Sequence, residues 1–380
     1  MKFIDLPAQY KNLRKEINSA LFQTLKEGDF ILGKCVKTLE ERIADLVETK
    51  FAVGLNSGTD ALFLSLKALG IGRGDEVITT PFSFISTAEV IVTTGAKPVF
   101  VDINPETYNI DVNKIKKAIT KKTKAILPVH LYGQMADMSA IMKIARKYRL
   151  FVIEDAAQAI GASQKIKNQK SKFKIRMAGS IGIAGCFSFF PTKNLGAFGD
   201  AGMITTDSEK LAEKLKMLRN HGSKKKYYHE FLGVSSRLDE IQAGIILAKL
   251  PHLKKWNRKR QEIASFYDKN LRGVGDIIAP SIVKNNVHIY HQYTIRTKYR
   301  DALIGYLKNK NILTAIHYPI PLHLQPALKY LGYKKGDFPK AEKAAKEVLS
   351  LPLYPELSPQ SQKFIIKTIK KFFEENEPRK

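Results

Sequence analysis

Between residues 51 and 154 the chain alternates short β-type runs with helical runs, a pattern that few folds accommodate. The β-type runs fall at 51–54, 76–80, 97–101, 125–130 and 150–154, with helical segments near 61–69, 86–94, 113–119 and 138–148. Such alternation predicts an α/β domain with a largely parallel sheet and helices on both faces. Strands at 186–190 and 201–205 follow through tight glycine-containing links, then a helix at 208–219. Two helices precede the first strand, over 10–27 with Gly28 as a stop, and over 36–48. A helix over 238–250 ends at Pro251, and a long helical run then reaches residue 270. The domain change is placed there. Residues 1–250 form a large domain with an N-terminal helical arm. Residues 251–380 form a smaller α+β domain with a strand at 290–297 and helices at 302–308, 341–349 and 359–373. The polar, lysine-rich segment 164–177 reads as an exposed loop.

Composition bounds the partners. A chain of 380 residues with 44% hydrophobic and 26% charged residues is an ordinary globular protein able to bury a large core. Its N-terminus has no apolar run of signal-peptide length, and the longest near-apolar stretch, 181–191, is too short to span a bilayer. Two cysteines far apart, Cys35 and Cys186, suggest a reduced, cytoplasmic setting without a disulfide framework. The net charge of +27 is spread over many segments instead of being gathered on one element with interleaved aromatics. It reads as solvated surface lysine; positive potential that attracts a polyanionic small substrate such as a nucleotide diphosphate is the second reading, and direct nucleic-acid binding the third.

One lysine is out of place on such a surface. Cys186-Phe187-Ser188-Phe189-Phe190-Pro191-Thr192-Lys193 runs from an aromatic strand straight into an amine. An ammonium at the end of a buried strand costs free energy unless it is paired or neutralised. One resolution is a Schiff base to a carbonyl cofactor, and pyridoxal phosphate (PLP) is the candidate. It needs a phosphate cradle and an acid for its ring nitrogen, and both have candidates. Asn56-Ser57-Gly58-Thr59-Asp60 follows a strand and opens a helix, which suits a phosphate or serves as a plain helix cap. Asp155 ends the strand 151–155 at the carboxyl edge where open α/β sheets bind ligands, with Gln158 three residues on. A strand-end acid that caps the next helix is the alternative. Ser188 precedes Lys193 by five residues and is compatible with the same pocket.

These stretches carry a resemblance that covers nearly the whole chain. The sequence resembles the DegT/DnrJ/EryC1/StrS family of PLP-dependent sugar aminotransferases, of aspartate-aminotransferase-like fold (fold type I). It does so in Gly28-Asp29-Phe30-Ile31-Leu32-Gly33, Asn56 to Leu62, Gly74-Asp75-Glu76-Val77-Ile78, Pro81 to Thr87, Glu154-Asp155-Ala156-Ala157-Gln158, Phe187 to Gly196, Ser236 to Ala243, Ile316 to Pro319 and Leu322 to Pro326. The resemblance implies Lys193 as the Schiff-base lysine and proton shuttle, Asp155 as partner of the pyridine nitrogen, and Gln158 as partner of the ring hydroxyl. It implies Gly58, Thr59 and Ser188 as phosphate contacts, and Phe84 as the aromatic that stacks on the ring, a place equally suited to core packing. It implies a homodimer in which the segment before residue 238 enters the neighbour's site. There Ser235 stands where the family has asparagine. Lys193, where a branch of sugar 3-dehydratases has histidine, argues for transamination.

The resemblance further implies L-glutamate as amino donor and a nucleotide-diphosphate keto sugar as acceptor. Residues 287–293 and 316–326 resemble the branches acting on 3-keto dTDP- or UDP-sugars; a 4-keto sugar, or a non-catalytic regulator on the same fold, is the alternative. Arg237, His317, Tyr318 and His323 are candidate sugar or diphosphate contacts, with hydrogen-bonded structural roles as the alternative for the histidines. No metal site is expected.

Overall fold

The computed structural model describes residues 1–167 and 173–376. Its centre is a seven-stranded sheet in the order β1-β9-β8-β5-β4-β2-β3. In chain order, α1 (Leu6–Asn12), α2 (Arg14–Glu27) and α3 (Lys34–Val47) lead into β1 (Phe51–Leu55) and α4 (Gly58–Ala68). Then come β2 (Glu76–Thr79), α5 (Ser86–Thr93), β3 (Lys97–Phe100), α6 (Val112–Ala118), β4 (Thr123–Ile126), α7 (Met138–Tyr148) and β5 (Phe151–Asp155). A hairpin of β6 (Ser163–Lys167) and β7 (Phe173–Met177) interrupts before β8 (Ala184–Ser188), β9 (Gly202–Thr206) and α8 (Glu209–Leu218). Strand pairing is parallel from β3 through β2, β4 and β5 to β8, while β9 runs antiparallel to both β8 and β1.

Two apolar layers explain why the sheet forms. On one face Val36, Leu39 and Ile43 of α3 pack with Ile126, Val152, Phe187 and Met203. On the other, Leu62 and Leu66 of α4 pack with Val53, Val77, Ile153 and Ile204. Strands covered on both faces read as apolar runs, which is what made them visible in the sequence. The Glu240 carboxylate closes the start of α3 by accepting from the N–H groups of Cys35 (2.7 Å) and Val36 (2.9 Å).

Beyond β9 a short hairpin, β10 (Ser223–Lys225) with β11 (Tyr228–His229), precedes α9 (Glu240–Lys249) and α10 (Leu253–Leu271). The chain continues as β12 (Asn286–Val287), β13 (Tyr293–Arg296), α11 (Arg300–Asn309), α12 (Pro339–Glu347), β14 (Val348–Leu351) and α13 (Pro359–Asn376). Tyr267, Tyr293, Leu303, Leu349, Ile365 and Phe372 share one C-terminal core. A separate cluster packs Leu322, Phe338 and Ala344 against Phe82, Phe100 and Tyr132, so the C-terminal part also covers the β3 side of the sheet.

Three expectations change. The segment 164–177 is the β6–β7 hairpin, in register from Ser163↔Met177 to Lys167↔Phe173, and β12 pairs onto it. Its alternation of Lys with Ile and Phe was a strand signal that lysine content masked; residues 168–172 lie outside the described residues. The single helix at 10–27 is two, α1 and α2, divided at Leu13, which has φ −117° and is buried beside Ile17, Ile245 and Trp256. The helix over 341–349 stops at Glu347, because Val348–Leu351 pairs with β13 and is wholly buried. Among the described residues, no helix is long and apolar enough to cross a membrane.

Candidate active site

The carboxyl ends of β1, β2, β5 and β8 border a cavity of about 480 Å³. Gly58, Thr59, Phe84, Asp155, Gln158, Ser188, Lys193, His317 and Tyr318 all line it. At the β1 end, Ser57 caps α4: its Oγ accepts from the Asp60 N–H at 3.0 Å and its carbonyl from the Ala61 N–H at 3.0 Å. Among the described residues, no protein group takes the N–H groups of Gly58 and Thr59, which stand at the positive end of the helix dipole. A Cβ on residue 58 would lie 2.7 Å from Ser188 Cβ, so glycine is what lets the helix start approach the β8 end. Thr59 Oγ1 and Ser86 Oγ are 2.9 Å apart.

The two acids at the β5 end face opposite ways, as strand alternation requires. Glu154 points back into the protein, fully buried. It accepts from the N–H groups of Gly179 (2.9 Å), Ile181 (2.7 Å) and Gly182 (2.7 Å) and sits 2.9 Å from His130 Nε2. Burial raises its pKa, but His130 and the backbone donors outweigh it and hold the carboxyl below its ordinary value. A carboxyl lowered in the fold contributes stability at neutral pH that is lost as pH falls through its folded pKa. Glu154→Gln turns an amide donor toward those N–H groups, and a loss of about 3 kcal/mol in urea unfolding at pH 7 is expected. That loss narrows in acid.

Asp155 faces the cavity. It is 6% exposed, and its Oδ2 accepts from Thr87 Oγ1 at 2.9 Å and its Oδ1 from the Ala157 N–H at 3.2 Å. Burial pushes its pKa up, only partly offset by Thr87, the Ala157 N–H and the charge of Lys193. Lys193 sits in a turn after β8, its N–H donating to the Phe190 carbonyl at 2.8 Å. Enclosure pushes its amine down to about 8 against the opposing pull of Asp155. A buried carboxylate beside an amine whose pKa burial lowers to about 8, both in one cleft, is an arrangement expected of reactive groups.

Gln158 is held at both ends: Oε1 accepts from the Tyr132 N–H at 2.7 Å, and Nε2 donates to Tyr318 Oη at 3.0 Å. The Tyr132 hydroxyl donates to the His317 carbonyl, and His317 Nδ1 lies 2.9 Å from Ser350 Oγ. Burial, with a smaller contribution from Lys193, pushes His317 down to about 4, so its ring is neutral at pH 7. Phe84 is 54% exposed to the cavity mouth, with its ring 6.2 Å from that of Tyr318.

Three predicted residues do not reach this cavity. His323 is 2% exposed, its Nε2 3.1 Å from Glu342 Oε1 and its ring edge-on to Phe338, and it lies outside the cavity lining. Arg237 donates to Ser235 Oγ (2.9 Å) and Asn220 Oδ1 (2.9 Å), and both Ser235 and Arg237 lie outside the lining. Ser236 between them donates to Asp60 at 2.6 Å, tying this segment to α4. Conversely, Thr87, His291 and Gln292 line the cavity without having been singled out. Thr87 closes the motif that begins at Pro81, but only the fold brings its hydroxyl to Asp155.

A model of the DegT/DnrJ/EryC1/StrS aminotransferase family matches residues 11–370. The chain belongs to that family. The pleiotropic regulatory protein of Geobacillus stearothermophilus is 51% identical to this aminotransferase over 372 residues, 97% of this chain and 98% of its own. The UDP-2-acetamido-2-deoxy-3-oxo-D-glucuronate aminotransferase of Pseudomonas aeruginosa is 44% identical over 365 residues, 96% of this chain and 98% of its own. The crystal structure of S. venezuelae DesV in complex with ketimine intermediate matches with a TM-score of 0.94 at 40% identity, covering 100% of this chain and 99% of that one. The cofactor is PLP, found in its PLP and PMP forms in related structures, and the residues here fit it. The first-turn N–H groups at Gly58 and Thr59 suit its phosphate, Asp155 its ring nitrogen and Lys193 its carbonyl. The enzyme is a PLP-dependent aminotransferase of fold type I.

Proposed function

We propose that this aminotransferase moves the amino group of L-glutamate to the keto carbon of a nucleotide-linked sugar, most favourably a 3-keto UDP- or dTDP-sugar, in cytoplasmic steps of amino-sugar and cell-surface polysaccharide synthesis. The observation that carries the reading is the meeting of Lys193, Asp155 and the open start of α4 in one cavity. The 3-oxo sugar named for the P. aeruginosa relative supports the choice of acceptor.

When bound, PLP supplies an electrophilic carbonyl and an electron-accepting ring. The remaining roles fall to the chain. Lys193 Nζ would hold the cofactor's carbonyl and, once released by the incoming amine, would carry the proton between the substrate carbon and the cofactor, a task suited to an amine whose pKa burial lowers to about 8. Asp155 keeps a negative charge against the ring nitrogen. Gly58, Thr59 and Ser188 bind the phosphate, Phe84 covers the ring, and Gln158 orients its hydroxyl. His317 and Tyr318 face the sugar. Ser235 and Arg237 serve the neighbouring site of a homodimer, a role supported by the 85% exposed Tyr227 and 88% exposed Leu232 of the same segment.

A panel of 3-keto and 4-keto dTDP- and UDP-sugars, each with L-glutamate and scored by mass, tests the reading. Amino sugar and 2-oxoglutarate from 3-keto acceptors are expected. Turnover confined to 4-keto sugars moves the enzyme to the other branch. No product from any pair favours the non-catalytic regulator suggested by the name of the G. stearothermophilus relative, against which the presence of both Lys193 and Asp155 weighs.

A further inference from the structure

Lys249, the last residue of α9, is a buried cation without an acidic hydrogen-bond partner. It is 0% exposed, as completely enclosed as the core leucines. Its ammonium donates to the Gly196 carbonyl at 2.7 Å and lies 4.2 Å from the centre of the Phe198 ring. No carboxylate is within ion-pairing distance of it among the described residues. Burial pushes its pKa down to about 8, with a smaller pull from Glu356 in the other direction. An isolated buried ammonium is costly, and an apolar side chain of the same length would pack the position without that cost. The cation is therefore kept for something other than stability.

Its target identifies what that is. Gly196 closes the turn that carries Lys193: the Lys193 N–H returns to Phe190 O at 2.8 Å and the Ala197 N–H to Phe189 O at 2.7 Å. The turn is so tight that a Cβ on residue 196 would lie 2.4 Å from the Pro191 carbonyl oxygen. Its other flank is pinned as well. Asn194, next to Lys193, donates to Asn257 Oδ1 at 2.8 Å and to Ile289 O at 3.3 Å, and faces His291 Nδ1 at 3.2 Å. Asn257 belongs to α10, which follows α9 after a three-residue 3₁₀ turn. The Lys193 turn is thus gripped at residue 194 by α10 and at residue 196 by α9. A charged donor holds a carbonyl more strongly than a neutral one, and the low dielectric around it strengthens the bond further.

We propose that Lys249 is a positioning residue for amino transfer: its ammonium, seated on the Gly196 carbonyl and the Phe198 ring, fixes the turn that aims Lys193 into the cavity. The inference rests on the assignment of Lys193 as the reacting amine. Misplacement of a reacting group by about 1 Å costs on the order of 10²-fold in rate. Lys249→Met keeps the length and removes the donor. The expected result is stoichiometric PLP, a KM for the amino donor within about twofold of wild type, and both half-reactions slowed about 10- to 100-fold at 25 °C. Lys249→Arg, which can still donate, recovers most of the rate. A PLP-loaded Lys249→Met enzyme with wild-type kcat, changed only in Tm, overturns the proposal. If Lys249→Met does not fold, Lys249→Gln and Lys249→Arg give the same comparison, and kcat unchanged in both overturns it equally. Lys193→Ala, run alongside, separates the two claims: turnover surviving in that variant refutes the assignment of Lys193, whatever Lys249 does.

Discussion

Lys193→Ala is expected to fold, to retain the phosphate cradle and to lose amino transfer by about 10⁴-fold, the upper range for a positioned proton-transfer group. Single-turnover conversion with a saturating amino donor measures it, together with loss of the visible absorbance of the lysine-bound cofactor. A variant retaining a tenth of the wild-type rate removes Lys193 from the chemistry. The wild-type amine also makes a pH prediction. Its pKa is lowered to about 8, first by burial, while Asp155 opposes the shift. Below that pH it is an ammonium without a lone pair; above it, a nucleophile. Apoprotein mixed with PLP is therefore expected to load faster as pH rises toward 8 and to level off above it. A rate that keeps climbing to pH 10 shows an amine with an ordinary pKa and overturns the prediction.

How far the sequence alone led differs from one residue to another. The sheet was legible because β2, β4 and β5 are covered on both faces and so read as apolar runs between helical periods. β14 was hidden because Ala344, Ala345 and Glu347 carry helix propensity up to its first residue. The pairing with β13, from Arg296↔Val348 to Tyr293↔Leu351, turns the chain to strand. In the site, Asp155 ends β5 while Gly58 and Lys193 stand a few residues beyond the carboxyl ends of β1 and β8, and that edge is where a fold of this class meets its ligand. The groups that tune them lie far away in sequence. Thr87 reaches Asp155 across 68 residues, Tyr132 binds the His317 carbonyl across 185, and Lys249 reaches Gly196 across 53. No local spacing encodes those meetings. His323 shows the opposite failure. It stands in a stretch that resembles a substrate-binding tail, yet its Nε2 faces Glu342 and its ring packs edge-on against Phe338, away from the cavity.

Asp155→Asn is expected to divide activity from stability. The carboxyl is buried with its pKa raised, first by desolvation, and Thr87, Ala157 and Lys193 only partly offset this. A group raised in the fold contributes most below its unfolded pKa, and that contribution is lost as pH rises through the folded value. At neutral pH the ionised side chain therefore burdens the apoprotein. The amide carries no charge, and its hydrogen bonds can be met: its oxygen accepts from the Ala157 N–H, while Thr87 redirects its proton to Ser83 Oγ, 2.9 Å away. The apoprotein variant should melt at or above the wild-type temperature at pH 7, with the gap closing in acid. With PLP bound the order should reverse, because on the proposed assignment the Asp155 carboxylate would then pair with a protonated ring nitrogen inside a low-dielectric cavity. Amino transfer should fall by about 10²- to 10³-fold, the range for removing one preorganised electrostatic partner. Calorimetry of apo and loaded protein at two pH values, with single-turnover rates, separates these effects. An apo variant that melts well below wild type at pH 7 means that Asp155 is a structural cap. A loaded variant with full activity means that the ring nitrogen finds its charge elsewhere.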